Sequence, residues 1–469
     1  MPLPVISVEQ MREWEKATWA SGQTEESVIA RVGKDLATRA LRLTRPHDLI
    51  LLLAGKGHNG DDVRAMRPHL VGRTVHELTI HDPALAIAEL TLQLARRPAL
   101  VVDGLFGIGL TRPLSEDWRA IIRLVNEARR PVLAVDVPSG LDAATGQPRP
   151  EAIRATLTVT VGAPKAGLLT AGAGDFVGKL EVTGEVGLVP CPITGDVQWT
   201  LDEDLCGFPP PRPATGHKGT FGHATLIAGS LGYHGAAVLA ARGAQRAGPG
   251  LVTLMPQPDV YEPVAAQLQA VMVRPWSEGG VPSNTTALLF GPGLAAANVP
   301  AALRDEFLRA WRTGKTPLVV DASALDWLPR EAPGGDAVRV ITPHPGEAAR
   351  LLDVTVAEVQ RDRVAALRTL ARRYGCWVVL KGARTLIGAA DGPVAVNSSG
   401  NAGLAQGGSG DVLAGYIAGW LAQPLARAEV ATLLRFAVLE HGRAADRLQA
   451  RRSHWTIEEL ATELGATTR

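Results

Sequence analysis

The sequence predicts an α/β protein of two three-layer domains, and three observations carry that prediction. Apolar runs of strand length recur, each ending in a glycine-rich or aspartate-bearing loop that leads into a helix-like stretch. Of the 50 glycines, many sit at those junctions rather than in low-complexity runs. One proline-rich break, "GFPPPRPATGHKG" at 207–219, separates two such series. Loops at the carboxyl ends of parallel strands are where open α/β sheets take up ligands. Proline forbids regular structure and stiffens a linker. The expected organisation is a first domain over 1–206, a linker and domain start over 207–219, and a second domain over 220–469.

The elements follow in order. "SVEQMREWEKATWASG" (7–22) has Ser7 with Gln10 three residues on, a capping box before a helix. "DLILLLAGKGHNGDDVRAM" (48–66) reads as a buried strand, a glycine loop and a helix start. "ALVVDGLFGIGLTRPL" (99–114) and "PVLAVDVPSGLD" (131–142) each give an apolar strand and a polar loop opening on Asp. "ATLTVTVGAPKAGLL" (155–169) adds a strand and a loop carrying Lys165. After the prolines, "GHATLIAGSLGYHGAAVLAARGAQRAG" (222–248) is strand, glycine loop and helix. "ALLFGPGLA" (287–295), "TPLVVDASAL" (316–325), "VRVITPHPGEAARLL" (338–352) and "CWVVLKGARTLI" (376–387) are four more strands with polar loops. "LAQGGSGDVLAGYIAG" (404–419) closes the set, and no repeat of fixed period is visible.

Composition excludes several classes. The 469 residues are too many for one ordinary domain, and a hydrophobic fraction of 46% with 20% charged residues predicts a soluble chain with ample core. A net charge of +1 gives no case for a polyanion or a membrane surface. Aromatics are sparse and form no basic-aromatic stripe, so nucleic-acid binding is not expected. Cys191, Cys206 and Cys376 fit neither a zinc site nor a disulfide framework, which points to the reducing cytoplasm. The N-terminus lacks the apolar core of a signal peptide, and no apolar run is long enough to span a bilayer.

The 404–419 stretch raises the sharpest question. Its glycines allow backbone N–H groups to approach a phosphate, and the helix that follows adds its positive end. Asp411 beside that phosphate can accept a hydroxyl proton. The plainer reading makes Asp411 an N-cap. Lys381 in "LKGART" is a candidate for phosphate oxygens, with Thr385 adding a hydroxyl; the alternative is a lone surface lysine. In "TPHPGEAARL", Pro345 and Glu347 suit a helix first turn, so Glu347 is expected to cap, while His344 is placed to face a ligand. "GPGL" (291–294) suits close backbone approach to a ligand or a plain tight turn.

Together these motifs resemble a family. "HKGTFGHATLIAGSLGYHGAAVLAARGAQRAGPGLVTL", "GPGL", "VVDASAL", "TPHPGE", "KGART" and "NAGLAQGGSGDVLAG" stand in the order seen in ribokinase-like NAD(P)H-hydrate dehydratases, over about 212–469. The resemblance implies a ribokinase-like fold and ADP-dependent removal of water from the S epimer of hydrated NADH or NADPH, with Mg2+. It implies that Lys381, Gly382, Ala383, Arg384, Thr385, Gly408, Ser409 and Gly410 bind ADP. Ala237, Gly293, His344 and Asp411 would line the hydrate site, with Asp411 catalytic. A small-molecule kinase of the same fold would use the same loop and stays open as an alternative.

Residues 1 to about 205 resemble the Rossmann-like NAD(P)H-hydrate epimerase domain often fused in front. The carriers are "AGKGHNGDD", "VVDGLFGIGLTRPL", "AVDVPSGLDAATG" and "VTVGAPKAGLL". The resemblance implies a potassium ion on Asn59, Asp103 and Ser139. It implies hydrate contacts from Asn59, Gly60, Asp61 and Asp62, from Gly107, Ile108, Gly109, Leu110, Thr111, Arg112 and Pro113, and from Asp136. The family loop reads Asn-Asn-Gly-Gly-Asp-Gly; here it is His58-Asn59-Gly60-Asp61-Asp62-Val63, and Ala30 stands where the family has Glu. An epimerase and a non-catalytic assembly lobe are both open. A homo-oligomer acting on small-molecule hydrates is the expected form.

Overall fold

In the computed structural model residues 2–110 and 112–466 are described, apart from the side chains of 425 and 426. The chain divides into two compact units, Leu3–Gly195 and Asp196–Arg469.

The first unit is built on a six-stranded sheet in which every pairing is parallel. Its strands run in the order Thr74–Thr79, Leu49–Ala54, Leu100–Gly104, Val132–Val135, Leu157–Val161, Lys179–Thr183. The apolar runs are continuous because both faces are covered. Ile50 and Leu52 pack with Val28, Val32 and Leu36 of helix Glu25–Leu43 and with Val63 and Met66 of helix His58–Met66. Leu51 and Leu53, one residue out of phase, pack with Leu90 and Leu94 of helix Pro83–Ala95 and with Ile121 and Val125 of helix Glu116–Glu127. The three expected layers follow from that period of two. The helix Val8–Ala20 carries the predicted capping box on Ser7 and Gln10.

The second unit has a mixed sheet. Its strands include, in spatial order, Val197–Trp199, Val394–Val396, Leu386–Gly388, Trp377–Leu380, Arg339–Ile341, Leu318–Val320, Ala287–Phe290, His223–Ile227, Leu251–Met255 and Met272–Val273. Leu386–Gly388 runs antiparallel to both neighbours, and the other pairings are parallel. Ala224, Leu226, Leu289 and Val319 face a core shared with helices His234–Arg246, Ser409–Leu421 and Val430–Arg451. Phe290 meets Phe307 of helix Ala301–Thr313 at a ring separation of 5.5 Å on the other side.

The boundary differs from the sequence expectation. Residues 196–206 belong with the second unit, because Val197–Trp199 pairs with Val394–Val396. Asp204 pairs with Arg435 and Asp202 with Arg443, both on the helix Val430–Arg451. The proline segment is not a free spacer either. Phe208 packs on Trp420 and Phe436, and Arg212 lies over the Phe221 ring at 3.6 Å.

Two glycines bring the Asp411 helix into place. A Cβ on Gly415 would stand 1.9 Å from the Ala240 carbonyl oxygen, and one on Gly419 would stand 2.4 Å from that of Ala244. Only glycine at these positions lets helices Ser409–Leu421 and His234–Arg246 touch backbone to backbone.

Candidate functional site

In the second unit the loops after the strands assemble the site. Asp411 is the third residue of helix Ser409–Leu421, whose N-cap is Gly408 at φ +98° without a side-chain cap. The capping reading of Asp411 therefore does not hold: its carboxylate is free for other work at the positive end of the helix. Burial, then the neighbouring Asp321, push its pKa up to about 7, against the pull of Lys381.

Lys381 follows strand Trp377–Leu380 and is mostly buried. Its Nζ lies 2.6 Å from Asp321 Oδ1 and 3.9 Å from Glu347 Oε2. It is no lone surface lysine. Burial opposes its charge, but Asp321, Glu347 and Asp411 outweigh this and hold the ammonium above its usual range. Asp321 is buried and also accepts from Thr342 Oγ1 at 2.7 Å. A Cβ on Gly410 would stand 3.1 Å from Lys381 Nζ, so the glycine keeps this meeting point clear.

His344 and Glu347 form a reciprocal cap on helix Pro345–Leu352. His344 Nδ1 accepts from the Gly346 and Glu347 amides, and Glu347 Oε2 accepts from the His344 amide at 2.7 Å. Glu347 caps as expected, and it also faces Lys381. The other ring nitrogen of His344, Nε2, lies 3.5 Å from Glu347 Oε1, and half of the side chain is exposed. Thr385 Oγ1 donates to the Gly382 carbonyl at 3.1 Å, so its proton closes the 381–385 turn instead of standing free. The Ser409 amide donates to Gln406 O at 3.3 Å, which leaves the Gly410 and Asp411 amides as the first-turn donors directed outward. Ala237 is buried beneath Gly229, and Gly293, at φ +67°, accepts from Ser230 Oγ at 2.6 Å.

Sequence reasoning missed several residues here. Asp321 stands inside the strand motif VVDASAL with nothing beside it to single it out. His441 is buried, and burial pushes its pKa down to about 4, so a neutral ring donates from Nε2 to the Ser409 carbonyl at 3.1 Å. Arg363 reaches the 381–384 loop from helix Arg363–Tyr374. Nothing near these residues in sequence marks them; the partners are far apart along the chain.

In the first unit Asp103, Ser139 and Asn59 meet at the ends of strands Leu100–Gly104 and Val132–Val135. Asp103 is fully buried; Ser139 Oγ donates to its Oδ1 at 2.6 Å and the Ser139 amide to Oδ2 at 2.8 Å. Burial pushes the Asp103 pKa up to about 6 despite these bonds. Asn59 Nδ2 donates to the carbonyls of Phe106 and Val135 at 3.0 and 2.7 Å. The three residues expected to hold potassium thus meet around the Phe106 carbonyl, to which both Asn59 and Ser139 donate, with Asp103 the single carboxylate of the three.

The expected loop at 58–63 is helical: it forms the opening of His58–Met66. Gly60 abuts the Gly55 carbonyl, Asp61 pairs with Arg64 at 2.8 Å, and Asp62 is buried. Burial, then Asp136, Asp61 and Glu15, hold the Asp62 carboxyl well above the usual range. Val63 packs against Gly104. Asp136, at φ +62°, takes Lys165 Nζ at 2.6 Å, Thr160 Oγ1 and the Val161 amide at 3.1 Å each. Lys165 is fully buried and also donates to Thr160 Oγ1 and Val161 O. Glu15, which the sequence did not single out, faces the same group; burial, then Asp136, raise its pKa. Of the 107–113 loop, Gly107 abuts the Asn59 amide, Ile108 packs beside Met11 and Trp14, and Gly109 has open space. Leu110 donates to Gly107 O, Arg112 and Pro113 are exposed, and Thr111 lies outside the described residues.

Comparison with known proteins agrees with both halves. Residues 224–468 match a family model described as NAD(P)H-hydrate dehydratase, and residues 74–167 match one described as YjeF-related protein N-terminus. The chain is similar to a bifunctional NAD(P)H-hydrate repair enzyme of Gloeobacter violaceus, 35% identical over 98% of this chain and 96% of that protein. It is also similar to that of Coxiella burnetii, 33% identical over 93% of each chain. Among solved structures, an ADP/ATP-dependent NAD(P)H-hydrate dehydratase from Bacillus subtilis, co-crystallised with ATP and Mg2+, is 31% identical at a TM-score of 0.52. It covers 56% of this chain and 95% of its own.

Proposed function

The chain belongs to the bifunctional NAD(P)H-hydrate repair enzymes, and from that premise we propose how its two sites divide the work. The second unit is the ADP-dependent dehydratase and the first the epimerase that supplies its substrate epimer.

A hydroxide leaves poorly and a phosphate leaves well. Phosphoryl transfer from ADP to the ring hydroxyl of the S hydrate, with AMP leaving, therefore prepares the elimination, in which inorganic phosphate and a ring proton depart and NADH or NADPH is restored. Asp411 takes the hydroxyl proton as the oxygen attacks, and the first-turn amides at Gly410 and Asp411 hold the developing charge. Lys381 serves phosphate oxygens from its seat on Asp321. Glu347 offers a hard oxygen that suits Mg2+, which when bound would neutralise phosphate charge. The observation that carries this reading is Asp411, half-buried at a helix N-terminus, with a pKa of about 7.

In the first unit, inversion at the hydroxyl-bearing carbon breaks its C–O bond, the hydroxyl leaving as water with a donated proton, and remakes it on the other face as a base takes a proton from the returning water. Asp136 and Lys165, in contact at 2.6 Å, supply both. One buried carboxylate with neutral oxygens from Asn59, Ser139 and the Phe106 carbonyl suits a group I cation better than a divalent one. Potassium held there would fix the hydrate's position. The substrates are small molecules, the nucleotide is ADP, and among the described residues no helix is long and apolar enough to cross a membrane.

The test follows NADH absorbance from a mixture of both hydrate epimers with ADP, Mg2+ and K+. Full rapid recovery supports both sites. Rapid recovery of the S fraction alone makes the first unit an assembly lobe. Loss of the rapid R phase when Li+ replaces K+ supports the cation site.

A further inference from the structure

Arg363 opens helix Arg363–Tyr374 and turns its side chain under the 381–384 loop. Its Nη1 donates to the carbonyls of Ala383 at 2.6 Å and Arg384 at 3.4 Å. Its Nη2 donates to those of Leu380 at 3.1 Å and Lys381 at 3.2 Å. One planar guanidinium thus gathers four carbonyls from five consecutive residues. A Cβ on Gly382 would stand 3.2 Å from Nη2, and Gly382 sits at φ +135°, so the loop curls round the cation only with glycine there. Arg384 is forced to φ +55° by the same curl.

The consequence follows from peptide geometry. In a trans peptide the N–H points opposite to the carbonyl that precedes it. Carbonyls 381, 383 and 384 face the guanidinium, so the N–H groups of Gly382, Arg384 and Thr385 are turned to the opposite side, away from the cation. We infer that Arg363 is a positioning residue for the nucleotide: it fixes the 381–385 backbone so that amides, not carbonyls, meet the ADP phosphates. The inference rests on the proposed placing of ADP at this loop. Arg363 itself touches no substrate. Lysine cannot take its place, since an ammonium is a point donor without a planar fork. With Arg363 gone, the carbonyls are released to turn towards the anion and repel it.

The experiment uses the full chain. Arg363→Lys and Arg363→Ala are compared with wild type for ADP affinity by calorimetry and for KM and kcat in hydrate dehydration. The expected result is an ADP Kd and KM raised about tenfold or more, the effect of losing roughly one charged hydrogen bond or more. The hydrate KM stays near wild type, and kcat at saturating ADP falls by less than about threefold. Millimolar ethylguanidinium restores ADP affinity to Arg363→Ala; should that variant fail to fold, Arg363→Lys carries the test. A folded Arg363→Lys with wild-type ADP affinity overturns the inference. Lys381→Met separates the two layers. If it weakens ADP binding while the Arg363 variants do not, only the positioning role falls. If it too leaves ADP affinity unchanged, the loop is not the nucleotide's seat and the underlying reading falls with it.

Discussion

Each unit holds a buried aspartate near a lysine at the mouth of its site, and the two arrangements are opposite. In the first, Lys165 sits directly on Asp136 at 2.6 Å. In the second, Lys381 sits on Asp321 at 2.6 Å and leaves Asp411 without it. The difference teaches how one residue pair serves two chemistries. In the proposed reading a lysine in contact makes the aspartate half of a proton-exchanging couple, and a lysine given to a neighbour leaves the aspartate as a base with a pKa of about 7.

The comparison can be broken most sharply at Asp411. Asp411→Asn keeps the fold and binds ADP, and dehydration of the S hydrate falls roughly 10²–10⁴-fold, the usual worth of a general base. More than about a tenth of the wild-type rate would remove the base role. In wild type the rate rises with pH through about 7, since Asp411 must be ionised. Stability runs the other way. The folded chain holds a proton there that the unfolded chain releases, so this contribution is present below the ordinary carboxylate range and is lost as pH climbs to about 7.

Lys165→Met attacks the other half. It strands the Asp136 carboxylate in a buried setting, which costs about 3–5 kcal/mol in urea unfolding. Exchange between hydrate epimers, followed by chromatography, is lost, while the S hydrate is still dehydrated. Unchanged stability and exchange would mean that the pair is not a working couple. Asp321→Asn sharpens the contrast more gently. Without the carboxylate that helps to raise Asp411, the acid limb of the dehydration profile moves towards lower pH. An unmoved limb would show that burial alone sets it. The smallest effect is at His344→Ala, where loss of the cap costs about 1 kcal/mol in thermal unfolding.

Much of this was legible in the sequence, and for physical reasons. Alternation and caps are local, so the strands and the Ser7–Gln10 and Glu347 caps could be read directly. Asp411 was found because its glycines and helix are contiguous with it. The contacts that tune the site are not contiguous. Asp321 and Lys381 are 60 residues apart, and Ser409 and His441 are 32 apart. Glu15 lay hidden on a helix surface that looked merely amphipathic. The 58–63 stretch reads as a loop because its glycine and polar residues favour turns; tertiary packing of Val63 on Gly104 overrides that preference.

The strand Val197–Trp199 bears on how such a fusion can be taken apart. The prolines invite a cut near residue 207, yet the β-strand that covers Val394–Val396 comes from before them. A truncation there would bare the row of amides and carbonyls along Val394–Val396 and leave a template for intermolecular pairing. The modular seam of this polypeptide therefore lies upstream of its most conspicuous sequence landmark. A dehydratase released from its partner, in the laboratory or by gene fission, must carry residues 196–206 with it to stay dispersed in solution.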